Sequence, residues 1–223
     1  MRTSLLLLCA LCTSALLQAE SVDVILSRMD QSAPAFRGVS ADIQLVTYTV
    51  IISDKTVENG TLKVQRQKSG ATRAILDFSG QSDSREIAFL GNIVRMYYPN
   101  LKMYQDYDIG QNSDVLNQFL LLGFGSSGKE LAQNYDVTGE GVENVAGQET
   151  TKLLLVPKSD KMRAHLAKIE MWISANGSYP VQQQFYEPSG NYKIATYSNI
   201  KLNPPIKGTL DLKLPSGVKK RSA

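Results

Sequence analysis

Cysteine is almost missing from this chain. Of 223 residues only Cys9 and Cys12 carry a thiol, both within the first twelve positions. From position 13 onward there can be no disulfide, no thiolate metal ligand and no cysteine nucleophile. Histidine is confined to His165, set among Lys161, Arg163 and Lys168, and a lone exposed imidazole ligates nothing by itself. No glycine-rich phosphate loop and no nucleophile elbow occurs. The acid pairs Asp106/Asp108 and Asp83/Glu86 lie on strands or turns among polar neighbours, where solvated surface is the expected state. Neither catalysis nor a metal or other cofactor is expected.

An excess of one charge is also lacking. The 24 basic and 21 acidic residues are interspersed, which gives no nucleic-acid footprint. The basic cluster Lys219-Lys220-Arg221 reads as a solvated tail. Long apolar runs are absent after the first. Met1-Arg2-Thr3 precedes an apolar stretch from Leu5 to Leu17, and Gln18-Ala19 follows. One basic residue, an apolar run too short to span a bilayer comfortably, and a small residue at a cleavage point make a secretory signal over 1–19. Cleavage after Ala19 leaves 204 residues from Glu20, with 23 basic and 21 acidic groups and no cysteine. A lipid anchor needs a cysteine preceded by a small residue. Cys9 follows Leu8 and Cys12 follows Leu11, so a soluble, unacylated product is expected. About 200 residues make one domain with a real core.

What is present is a helix followed by many strands. Ser21 suits a cap, Asp23 a first turn, and Val22, Ile25, Leu26 and Met29 recur at helical offsets. The helix is expected to end before Pro34. From Val39 the period falls to two, with Val39, Ala41, Ile43 and Leu45 on one face and the strand running through Tyr48 to Ile52. Glu58-Asn59-Gly60 offers a tight turn, after which Leu62, Val64 and Arg66 share a face. Further strands are predicted at 71–78, 85–90, 92–98 and 102–109, parted by Gly80, Gly91-Asn92 and Pro99-Asn100. Connections this short demand antiparallel neighbours.

Ser113 and Asp114 open a mid-chain helix, and Gly123 and Gly125 close it. Ser127-Gly128-Lys129-Glu130 has capping-box spacing and opens a second short helix through Leu131. Strands resume at 135–138, 150–156, 169–174, 181–186 and 192–200. Ala175-Asn176-Gly177 and Gly190-Asn191 serve as turns, and a last strand carries Leu210, Leu212 and Leu214. Asn176-Gly177-Ser178 matches a glycan acceptor but reads more simply as a turn. The fold class is mainly β with helices (α+β): a large curved antiparallel sheet whose apolar face the N-terminal helix and the mid-chain insert must close.

The insert is greasy nearly all round. Val115, Leu116, Phe119, Leu120 and Leu122 form one stripe, while Leu121 and Phe124 fall on the other side. A surface helix normally keeps one wet face. One side is expected to pack on the sheet; the other either meets further core or faces a ligand.

Several segments resemble one family in order. They are Gly60–Arg66 (GTLKVQR), Gly91–Pro99 (GNIVRMYYP), Phe119–Gly125 (FLLLGFG), Ile169–Pro180 (IEMWISANGSYP), Tyr197–Pro205 (YSNIKLNPP) and Leu214–Val218 (LPSGV). Together the chain resembles the periplasmic outer-membrane lipoprotein carrier proteins, LolA. The resemblance implies a single domain over 20–223, an incomplete β-barrel with helices lidding an apolar cavity. That cavity takes the acyl chains of lipoproteins released from the inner membrane, in the periplasm, without catalysis or cofactor. The implied partners are an acylated lipoprotein or other lipid cargo, an inner-membrane release complex and an outer-membrane acceptor; a monomer is expected, with no nucleic acid. Cavity and lid are assigned to Ile43, Leu45, Leu62, Val64, Arg66, Ile75, Met96, Phe119, Leu120, Leu121 and Phe124.

Family members carry a matching arginine that holds the lid closed. Alternation turns Arg66 the way Leu62 and Val64 point, and a guanidinium there needs acceptors such as the carbonyls at a helix end. Two other readings stand beside this one: the strand ends before Arg66, or the guanidinium snorkels to solvent. Lys63 departs from the pattern, since relatives often have an aromatic residue there. A lipid-sensing regulatory domain of the same fold is the alternative function. Such sensors usually carry an additional protein-binding domain, whereas a few basic residues follow Val218. Intact mass of the exported protein tests the leader: the expected chain starts at Glu20 without an acyl group, and acylation of Cys9 or Cys12 would overturn that.

Overall fold

A computed structural model of the protein describes residues 20–80, 83–110 and 122–221. Helix α1 (Val22–Ser32) starts where the Ser21 side chain accepts from Val24 N, satisfying one of the free donors of a helix start. It runs into a 3-10 turn, Ala33–Ala35, with Pro34 inside it. The strands are β1 (Gly38–Thr49), β2 (Asp54–Arg66), β3 (Thr72–Asp77), β4 (Glu86–Leu90), β5 (Ile93–Tyr98), β6 (Met103–Asp108), β7 (Tyr135–Val145), β8 (Gln148–Pro157), β9 (Lys168–Ser174), β10 (Pro180–Tyr186), β11 (Tyr192–Leu202) and β12 (Lys219–Lys220). Two short helices, α2 (Gly128–Asn134) and α3 (Asp160–Arg163), lie between them. The Ser127/Glu130 capping box opens α2 as expected.

All strands belong to one sheet, ordered β12-β6-β5-β4-β3-β2-β1-β11-β10-β9-β8-β7. Its neighbours are antiparallel, except that β12 pairs parallel with β6. Among the described residues β7 and β12 form the two edges and do not meet, so the barrel is incomplete.

Register decides which side chains share a face. Ile43 sits opposite Gly60 on β2 and Tyr197 on β11. Leu62 sits opposite Leu76, Leu76 opposite Ile87, and Ile87 opposite Met96. These residues line the inner face. Over β7 to β10 that face is filled by helices: Ile25 and Met29 of α1, Leu131 of α2 and Met162 of α3 pack on Leu153, Leu155, Ile169 and Met171. Each such side chain, buried fully, contributes on the order of 1.5–3 kcal/mol. Arg28 fastens α1 to the β9–β10 turn by donating to the Ala175 and Ser174 carbonyls at 2.9 and 3.2 Å.

Several expectations need correction. The first hairpin turns at residues 50–53, where Ser53 takes a positive φ of 49°, so β1 stops at Thr49 and does not reach Ile52. Asn59 and Gly60 are mid-strand. Gly60 serves close approach: a Cβ there would strike the Asp77 carbonyl and lie 2.7 Å from Phe78 Cδ1. Strand β7 continues past Thr138 to Val145 and turns at Ala146-Gly147, both at positive φ. Helix α3 was not foreseen. Leu210, Leu212 and Leu214 form no strand; Leu212 and Leu214 instead cover the outer face, packing with Ala88, Tyr97 and Ile75. The basic tail is solvated in its side chains, but its backbone is tied to β6. Lys219 N donates to the Lys102 carbonyl and Arg221 N to that of Tyr104. Asp106 is not bare surface either. Hydrogen bonds from Arg95, joined by Lys220, hold its carboxyl below the usual range.

Gly60→Ala tests the close approach. Backbone cannot retreat as a side chain can, so a loss of about 2–3 kcal/mol in urea unfolding is expected. Gly80, with open space around its Cβ position, should tolerate alanine within about 0.5 kcal/mol. Equal effects at both positions would remove the packing explanation.

Candidate functional site

The inner face of β1 to β6 differs from the helix-filled half. On β2 it runs Glu58, Gly60, Leu62, Val64, Arg66, an apolar floor bracketed by two charged groups. At one end the Arg85 guanidinium pairs with Glu58, Nη2 to Oε2 being 2.8 Å, and lies 5.1 Å from the Phe78 ring centroid. At the other end Arg66 Nη2 donates to the Gly125 carbonyl at 2.7 Å and Nη1 to the Ala33 carbonyl at 3.1 Å. The Phe36 ring lies 5.3 Å from the guanidinium carbon, within cation–π reach. Arg66 thus clasps the end of α1 and the turn at 122–125 to the sheet. Each bond to a charged donor is worth about 1.5–3 kcal/mol, and the half-exposed position of Arg66 puts these at the low end of that range.

The same turn is held at its other end. The buried Gln183 donates from Nε2 to the Leu122 carbonyl at 3.1 Å, and its Oε1 accepts from Tyr197 Oη at 2.8 Å. Burial raises the Tyr197 phenol well above its ordinary range, which keeps it a donor. Gly123 N donates to Ser126 Oγ at 2.8 Å. Gly125 has φ +88°, and a Cβ there would strike the Phe36 ring, 2.6 Å from Cγ. Only glycine fits.

The assigned residues separate into groups. Ile43, Leu62 and Val64 are buried on the inner face among Phe36, Phe124 and Tyr197. Leu45 and Met96 share that face and are half-buried. Arg66 finds main-chain carbonyl acceptors, one at the end of α1 and one in the turn at 122–125. Ile75 does not belong: it pairs with Lys63 and Ala88 on the outer face, because strand alternation puts Ala74 and Leu76 inward. Phe124 requires correction too. It lies on the sheet, 2 % exposed, edge-on to Tyr197 at 5.0 Å, where a position away from the sheet was expected. The positive-φ glycines on either side break helical periodicity, so a helical wheel misplaces it. Phe119, Leu120 and Leu121 lie outside the described residues, as does the rest of the expected helix before Leu122.

Sequence reasoning missed Phe36, Gln183, Leu76, Ile87 and Phe89. Gln183 carried a signal: between Val181 and Phe185 at period two, it shares their face. Among the described residues no group of three His, Cys, Asp or Glu could hold a metal, and no helix is long and apolar enough to cross a membrane.

The overall fold has likenesses among solved structures. By sequence, no protein-family profile and no curated protein matches the chain. By structure, an uncharacterized conserved protein from Thermus thermophilus superposes with a TM-score of 0.55, at 13% identity, over 91% of this chain and 99% of that one. The lipoprotein LppX of Mycobacterium tuberculosis gives 0.51 at 14% identity, over 83% of this chain and 98% of that one. MucB gives 0.51 at 13% identity, over 83% of this chain and 60% of its own. At such identities the likeness is one of fold.

Phe124→Gln tests the placement of that ring. A core aromatic lost to a smaller side chain costs about 3–5 kcal/mol, so a clear fall in melting temperature is expected of delipidated protein. An unchanged melting temperature would put Phe124 outside the core.

Proposed function

We propose that this chain is an exported, periplasmic carrier that takes the acyl chains of lipoproteins or related lipids onto its inner face, without catalysis or cofactor. The observation behind this reading is the clasp: a guanidinium over an apolar floor whose partners are main-chain carbonyls of two separate elements. A purely structural sheet has no use for a half-buried arginine there. The carbonyl bonds hold the empty form shut, and acyl chains displace the clasped turn from the floor. At ~0.8 kcal/mol per buried methylene, binding energy is plentiful and release is the harder problem. The Arg66–Gly125 hydrogen bond, which re-forms when cargo leaves, provides the return force. The shared fold with LppX, itself called a lipoprotein, is in keeping with this reading. A protein-binding sensor of the same fold would have the same floor, but transfer between membranes would not be its output.

Arg66→Leu separates loading from release. It deletes the closing bonds and enlarges the apolar wall, so the loaded form gains relative to the empty one. With a labelled acylated lipoprotein, loading should persist while transfer to acceptor membranes falls at least about tenfold, the equivalent of ~1.4 kcal/mol. Normal transfer by the variant would remove the clasp from the mechanism. Failure of the parent protein to take up a fluorescent fatty-acyl probe would remove the carrier reading altogether.

A further inference from the structure

The longest hairpin of the sheet ends in grease. The turn between β1 and β2 presents Val50, Ile51 and Ile52, exposed by 43, 88 and 69 %. Turns of this kind normally hold glycine, asparagine or other small polar residues. The tip is firmly built. Val50 N donates to Asn191 Oδ1 at 2.9 Å and Ser53 N to the Val50 carbonyl at 3.1 Å, which seats the tip on the neighbouring β10–β11 turn. Just behind it, on the outer face, the Tyr48 and Tyr192 rings stack at 5.0 Å and Tyr186 adjoins Tyr192 at 5.9 Å. Charges nearby come in opposite signs: Asp54 precedes Lys55, Lys193 pairs with Glu187, and Lys168 with Glu170.

We propose that the Val50–Ile52 tip inserts into the headgroup–acyl boundary of a phospholipid bilayer and docks the protein there reversibly. The shape selects the occupant. Three side chains on a convex tip cannot supply the roughly 800 Å² per partner of a stable protein–protein interface, but they suit a fluid surface that closes around them. Depth agrees as well. Ile51 lies three residues beyond Tyr48, at most ~10 Å because the chain leaves the strand after Thr49, within the depth to which interfacial elements enter. That sets the tyrosines at the headgroup level, where amphipathic rings collect. Balanced charge points to apolar insertion over electrostatic adsorption. The inference does not require that the protein carry cargo.

Cosedimentation of the exported protein with phosphatidylcholine vesicles tests it. The parent should bind with little change between low and high salt, and the double variant Ile51→Ser/Ile52→Ser should lose at least about tenfold in partitioning with an unchanged melting temperature. Val24→Ser, which removes another exposed apolar side chain (51 % exposed), should bind as the parent does. The proposal is overturned if the double variant binds like the parent, or if the parent ignores the vesicles. Binding that needs phosphatidylglycerol and disappears in salt would assign it to the lysines and overturn insertion. Self-association removed by the double variant, without vesicle binding, would make a second copy the occupant and equally overturn it.

Discussion

An open sheet of twelve strands has two faces, and one chain must supply cover for both. Everything else in the structure follows from how unevenly it does so. Over β7 to β10 the inner face is sealed by α1, α2 and α3, whose Ile25, Met29, Leu131 and Met162 side chains are buried. Over β3 to β6 the outer face is sealed by an irregular C-terminal segment carrying Leu212, Leu214 and Val218. Among the described residues, the inner face of β1 to β5 gets the thinnest cover: Phe36, Phe124 and the short turn that bears it, with Leu45, Leu76, Ile87 and Phe89 half-buried around them.

Arg66 matters because it joins this thin cover to the thick one. Its two bonds end on main-chain carbonyls, one at the end of α1 and one at Gly125, so lifting the turn breaks the second and leaves the first in place. The planar fork is what permits two acceptors on separate elements at once, and a lysine, a point charge on a flexible stem, would not reproduce it. Gln183 and Tyr197 grip Leu122 from the opposite side with neutral bonds. The turn is therefore held at both ends, by a charged donor and by an amide.

Local signals in the sequence were legible where one residue type serves one purpose. Ser21 and the Ser127/Glu130 box mark helix starts whatever surrounds them. Short polar breaks between alternating runs marked the antiparallel meander and the inward set Ile43, Leu62 and Val64. Legibility failed where a residue has two uses. Gly60 after an asparagine resembles a turn, yet it is there because Phe78 and the Asp77 carbonyl leave no room for a Cβ. Leu210, Leu212 and Leu214 alternate as a strand would, but Leu210 N is taken by the Gln65 side chain, not by a ladder. Ile75 shows the period-two hazard: a phase error of one residue moves a side chain through the sheet. The partners of Arg66 were legible as a type, backbone carbonyls, because a half-buried guanidinium can only donate and must find acceptors. Their identities depended on a fold of the chain that no local pattern encodes.

β2 carries both unusual features of this molecule, at opposite ends. The apolar tip precedes Asp54, and the clasp closes at Arg66, twelve residues on, which is ~40 Å along an extended strand. Contacts that far apart without shared partners perturb stability independently. Between them the strand's inner side chains are Glu58, Gly60, Leu62 and Val64, and the last two are buried. A strand hydrogen-bonded on both sides transmits position but offers no second arrangement to switch into, and coupling requires an element with two states. The turn at 122–125, whose Leu122 and Phe124 are buried, is tied to Arg66, far from the tip. Docking at one end and opening at the other are thus separable by construction. A membrane met by the tip acts on the clasp only if it supplies or withdraws something that competes for the floor beneath the turn.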